Sequence, residues 1–414
     1  MIGFSQRNFK LCSIYSFCTA LAIAVSANAI VTDLLLLNLK FDLAKFGIIK
    51  SCMFLLPSIS YFASAGLLLR LNRDLTIAAQ AYLWRVLLPL ILTVSAFFIH
   101  SQTVLLVLAS VIFSLSYTCA MFANNTLLKI YRNALSPSEF NRGSIFLTAL
   151  LSMPGAVFCL LAVSILNRFS GDRQAFLLCL LVLQLVSLLF EYPAYKSLMA
   201  VRFPHVVKEA QKHSPKGKIA DIFRSVELKR LLVLSTLHGI WTGAVSTYFV
   251  IYLLRVWQFK AQWIAALELL LTVLNLISAK SLGRLADRFG CDRVIGTAFA
   301  VILTIQLLWT SMPTMWIFLL FFCFAAHNGN GMLGIACFSL ESSWSAALAK
   351  QGQHELFIAA RTLLYSIGCF AGCQLAGPLL TLFPGTEAEQ FLRYFRCTLL
   401  LPLLMVLLTL FRKK

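Results

Sequence analysis

Ionisable side chains are scarce in this chain, and those deep inside long apolar runs include Asp33 in "IVTDLLLL", Glu268 in "AALELLL" and His327 in "CFAAHNGNG". A charge at the centre of a membrane helix costs ~2.5–3.5 kcal/mol on insertion scales, so each is a candidate to bind and release a proton. From 238 onward, His238, Trp241, Tyr248 and Tyr252 recur on one helical stripe and offer ring faces with polar ends. Asn28, Thr32, Asn124, Asn328 and Asn330 add amide and hydroxyl groups in other apolar runs. Each has a plainer reading. An Asn or His facing a neighbouring helix hydrogen-bonds across it for ~0.6 kcal/mol, and rings fill space.

Other chemistries are disfavoured by spacing. "GNGMLG", residues 329–334, satisfies G-x-G-x-x-G but lies in an apolar run with no preceding strand, so a dinucleotide reading fails. Those glycines fit a bend or a close helix approach. Of 12 cysteines, Cys291 alone sits in a charged stretch, and no CxxC or Cys/His set has zinc spacing. Cys369 and Cys373 share a helix face and read as small packing residues. The expectation is no metal, no disulfide framework and no cofactor.

The elements that must carry these residues are membrane helices. The chain has 414 residues, 60% hydrophobic and 12% charged, where a soluble domain carries about 25% charged. Apolar runs near the ~20 residues needed to cross a bilayer fall at 11–36, 46–69, 76–98, 104–128, 145–167, 175–195, 231–254, 262–282, 294–311, 314–338, 356–383 and 391–411. Lipid offers backbone no hydrogen-bond partner, and the alternation of a barrel strand is missing, so these runs are read as helices. The first lacks signal-peptide architecture and is read as a retained span. Most Lys and Arg residues fall in alternate loops, which places both termini in the cytoplasm of a multi-pass cell-membrane (plasma or inner) protein. The net charge of +19 lies along that side without any nucleic-acid motif, so anionic lipid headgroups, not nucleic acid, are the expected partner.

The longest polar stretch, 196–230, divides the chain into a six-helix bundle at 1–195, a basic cytoplasmic linker and a second six-helix bundle at 231–414. Two features repeat at similar offsets. Gly66 and Gly283 each follow the second helix of a half, and Arg142 and Arg361 each enter the fifth. Paired halves of this kind are one architecture of secondary transporters.

Between the eighth and ninth spans stands "SLGRLADRFGCDRV", 281–294, a dense charged island. Its Gly283, Asp287, Arg288 and Gly290 resemble the signature loop of the major facilitator superfamily in residue order and position. "PSEFNRGS" and "GCFAGCQLAGPLL" are similar to two further patterns of that family. The sequence departs from the family pattern at Cys291 and Asp292, where basic residues are preferred, and at Arg70, where the first-half copy calls for Asp. The Gly-Pro signature of antiporters is missing from the fifth span, so antiport does not carry over.

The resemblance implies an all-α fold of twelve transmembrane helices in two pseudo-symmetric bundles. It also implies a non-enzyme, secondary active transport of a small-molecule solute by alternating access, and protons or another ion as coupling partner in a monomer. It places Asn28, Thr32, Asn124, His238, Trp241, Tyr248, His327, Asn328 and Asn330 at the solute cavity. Asp33, Glu268 or His327 would bind the coupled proton, and Gly283, Asp287, Arg288, Gly290, Arg142 and Arg361 would form a cytoplasmic latch. Competing readings are a membrane acyltransferase, for which "AAHNGNG" would supply a buried general base, and a lipid flippase or transporter-like sensor.

Overall fold

The computed structural model describes residues 2–26, 28–68, 74–134, 137–202, 226–324, 332–348 and 354–410, and at Asn124, Arg142 and Gly283 the backbone alone. His327, Asn328, Asn330 and most of the linker therefore lie outside the described residues, as do the side chains of Asn124 and Arg142.

The described residues form α-helices and one short 3-10 turn, with no strand among them. The first half contributes α1 (Ile2–Ser26), α2 (Ala29–Asn38), α3 (Leu43–Leu68), α4 (Asp74–Phe98), α5 (Gln102–Ala134), α6 (Pro137–Leu166), α7 (Arg173–Leu189) and α8 (Glu191–Met199). The second contributes α9 (Val226–Arg255), α10 (Ala261–Phe289), α11 (Cys291–Ser311), α12 (Met315–Phe324), α13 (Met332–Leu348), α14 (His354–Leu382), α15 (Glu387–Cys397) and α16 (Leu400–Leu410). Ten helical stretches among the described residues are long and apolar enough to cross a membrane. Shorter apolar helices at Ala261–Asn275 and Met315–Phe324 stand where the eighth and tenth sequence spans fall. The chain is a multi-pass membrane protein.

Several boundaries have visible causes. Asn28 interrupts the first span: its backbone is extended, and its side-chain oxygen accepts from Ile30 N at 2.8 Å to start α2. Asp172 caps α7 in the same way, and Thr386 with Glu389 forms a capping box on α15. Asp42 opens α3. Its carboxylate accepts from Lys45 N and pairs with Lys45 Nζ, which together hold it below the usual carboxylate range.

The charged island is more helical than its composition suggests. Gly283, Asp287 and Arg288 all lie within α10, and Gly290 alone makes the turn, at φ +90, where a side chain would be strained.

Packing divides the chain into two compact units. The first holds residues 1–41, 63–214 and 260–272, and the second holds 42–62, 215–259 and 273–414. A segment from each half thus packs with the other half's unit. In the second unit Tyr248 donates to Leu43 O at 2.8 Å and Gln374 donates to Ser51 Oγ at 2.6 Å, which ties the start of α3 to α9 and α14.

The core of the second unit is the α9–α14 pair. Gly239 and Gly243 face Gly368 and Gly372, so that the backbones meet: a Cβ at these positions would strike Tyr365 O, Cys369 O, Thr236 O and Ile240 O, respectively. Small residues spaced four apart allow this approach where no hydrophobic effect drives helices together. In the first unit α1 and α6 pack likewise, with Gly155 against Ala20.

Candidate functional site

Two clusters gather the polar groups singled out in the sequence, one in each unit.

In the first unit the cluster forms at the break between α1 and α2. Having capped α2 through its oxygen, Asn28 presents its amide nitrogen 3.5 Å from Glu268 Oε2 on α10. Thr32 Oγ donates to Asn28 O at 2.9 Å, and Asp33, one residue further along α2, is 1% exposed. Three sequence candidates, Asn28, Thr32 and Glu268, are thus linked by hydrogen bonds, with Asp33 adjacent in sequence. An interrupted membrane helix with carboxylates beside it is a common setting for solute or ion binding in transporters.

The second cluster is sealed. His238 on α9 places Nδ1 2.7 Å from Glu341 Oε1 on α13, and Ser235 Oγ donates to Glu341 Oε2 at 2.7 Å. Arg361 on α14 lies 3.6 Å from Glu341 Oε2 and donates to Phe338 O at 2.7 Å. Its guanidinium also sits 3.9 Å from the centre of the Phe338 ring. His238, Glu341 and Arg361 are each 0% exposed. Phe299 and Tyr365 meet the imidazole edge to face at 5.1 and 5.2 Å, with Trp241 at 6.3 Å. A buried carboxylate with a cation, an imidazole and a hydroxyl around it has the partners a desolvated charge requires.

The helix stripe expected to face solute is engaged within this unit. Trp241 Nε1 donates to Gln306 Oε1 at 3.1 Å, and Gln306 Nε2 reaches Phe395 O at 2.9 Å and Thr398 Oγ at 2.7 Å. Tyr248 and Tyr252 join an aromatic core with Phe391, Phe395, Trp309 and Phe318. Arg361, expected at a cytoplasmic latch, is committed to the Glu341 cluster. Asp287 and Arg288 are exposed, with Arg288 stacked over Phe289 at 5.1 Å. Beside them an apolar pocket of about 420 Å³ is lined by Leu285, Phe289, Arg293 and Leu333, among others.

Glu341 escapes the sequence criterion because it falls just past the apolar run 314–338. A usable signal is present: it is the one acidic residue in "MLGIACFSLESSWSAAL", a stretch otherwise of small and apolar residues.

No family model matches the chain, and no curated protein matches it by sequence. Solved structures do match. A bacterial homologue of the iron transporter ferroportin, in an inward-facing state, is similar with a TM-score of 0.70 and 14% identity over 98% of both chains. The nucleoside transporter NupG gives 0.62 and 13% identity over 98% of this chain and 99% of that one. The E. coli fucose:proton symporter FucP, in a singly substituted form, gives 0.61 and 15% identity over 98% of both. The chain therefore shares the all-α fold of these transporters over nearly its whole length.

Proposed function

We propose that the protein is a secondary active transporter that moves a small solute by alternating access. The observation that carries this reading is a fold shared over nearly the whole chain with transporters of chemically unrelated cargo, namely nucleosides, fucose and iron. Sites of such proteins are built from a few residues on a common scaffold, so the fold supports the reaction class and leaves the solute to be set by side chains. Two bundles, 1–195 and 231–414, joined by the basic segment 196–230, are the moving parts in this reading, with both termini cytoplasmic. Asn28, Thr32 and Glu268 at the broken first span bind solute, and Asp33 or Glu268 carries the coupled proton. Asp287, Arg288 and Gly290 serve the cytoplasmic closure, and basic loops meet anionic lipid.

The test is a thermal-stabilisation screen of the purified protein against nucleosides, sugars and divalent metal ions. A ligand that binds the folded state raises its apparent stability by mass action, about 2.7 kcal/mol at a hundredfold excess over Kd. The expected result is saturable stabilisation by one class, with the compound recovered unaltered. Conversion of the stabilising compound to a product would replace the transporter reading with that of an enzyme.

A further inference from the structure

We propose that a groove formed by α10, α11 and α13 seats one anionic phospholipid, with an acyl chain along the groove and the phosphate on Arg293. Such a seat requires only that these helices lie in a membrane, whether or not the protein moves solute.

The groove follows from helical spacing. At about 100° per residue, Leu282, Leu285 and Phe289 share one face of α10, and Val294, Ala298 and Val301 share one face of α11. Gly290 turns the chain between the two helices, and both faces line one space of about 420 Å³ within the second unit. The buried Leu333 of α13 completes the lining. Sites for small ligands commonly enclose ~300–1,000 Å³. From Arg293 to Val301 the wall rises about 12 Å along α11, a stretch suited to an extended chain. Thr297 is also in the wall, but its hydroxyl donates to Arg293 O at 2.9 Å and so asks nothing polar of an occupant. Leu285, Phe289 and Val301 are exposed. In a bilayer, the occupant at hand for an open apolar trough is a lipid tail.

Charge selects the lipid. Arg293 is the one ionisable residue in the lining among the described residues, and it is exposed just before the apolar run that starts at 294. Arg288, stacked over the Phe289 ring at 5.1 Å, brings a second guanidinium to the same end. The two carboxylates of the island are turned away. By helical rotation Asp287 falls on the face of α10 opposite Leu285, and Asp292 on the face of α11 opposite Val294. Guanidinium groups bind phosphate oxygens through paired, charge-assisted hydrogen bonds. A zwitterionic headgroup would bring its own cation to two arginines, and an anionic one would not.

The experiment titrates the purified full chain, stripped of lipid in detergent, with phosphatidylglycerol or phosphatidylcholine of matched chains, and counts bound lipids by native mass spectrometry. The expected result is one tight phosphatidylglycerol per chain, held about tenfold more firmly than phosphatidylcholine. Arg293→Gln should lower that affinity about tenfold by removing a charged contact, and Val301→Trp should lower it by filling the groove. Both replace exposed side chains, and a melting curve like that of wild type shows that each is folded; if one is not, the other decides. Lys10→Gln, an exposed charge on α1, should leave the affinity as it is, and glycerol phosphate, a head without a chain, should not displace the lipid. Equal affinity for the two lipids, or phosphatidylglycerol binding untouched by the groove variants, would overturn the proposal. So would an equal loss in Lys10→Gln, displacement by glycerol phosphate, or a dimer that Val301→Trp dissolves, since the groove would then hold a second copy.

Discussion

Glu341 gathers Ser235, His238 and Arg361 around one buried carboxylate. Replacing it with Ala would take the shared carboxylate from His238, Ser235 and Arg361 in a fully buried site, and breaking one side of a buried pair costs about 3–5 kcal/mol. Chemical unfolding should therefore show a large loss for Glu341→Ala. The double change Glu341→Met with Arg361→Met should recover much of it, because an apolar pair takes both charges out of the buried site together. Gln306 makes a second residue-scale case: it accepts from Trp241 and donates to Phe395 O and Thr398 Oγ. Gln306→Leu should cost about 1–3 kcal/mol for stranding buried polar partners and should shift the Trp241 contribution to intrinsic fluorescence. The sequence shows His238 as a ring on a helical stripe but not its role, since its partner is 103 residues away. Glu341 is harder still to read, since hydropathy windows end where small polar residues begin.

At the scale of elements, the α9–α14 seam sets how closely two membrane helices can run. Gly243→Leu or Gly368→Leu would drive a side chain into the facing backbone, and such overpacking costs about 1–3 kcal/mol or more. Purified variants should unfold at lower temperature, whereas Gly171→Ala, with open space around it, should match wild type. The break at Asn28 makes the opposite point. Asn28→Ala removes a helix cap worth roughly 0.5–2 kcal/mol together with the contact to Glu268, so it should lower stability more than the cap-preserving Asn28→Asp, while both, having lost the amide donor to Glu268, should impair solute binding. The sequence contains the four glycines of the seam, two per helix, yet nothing local says that these two helices face each other. Its charged island also resembles a loop that carries two glycines, Gly283 and Gly290. Only Gly290 turns, because Gly283 continues a helix that the apolar count ends too early.

At the scale of the molecule, the architecture is the most legible part. Long apolar runs in a medium without hydrogen-bond partners must be helices, and their fold is shared over nearly the whole chain with solved transporters. Which segment packs where is not legible. Residues 42–62 and 260–272 each pack in the unit otherwise built from the other half, an exchange set by contacts such as Tyr248 with Leu43 and Asn28 with Glu268 that join distant positions. The central claim is that this plan moves solute across a bilayer. Counterflow tests it most directly: proteoliposomes loaded with an unlabelled stabilising solute are placed in a trace of the labelled one. The account predicts transient, saturable accumulation of unmodified label that is lost in Glu268→Ala. Label that equilibrates no faster than in protein-free vesicles, or that emerges chemically changed, would contradict it.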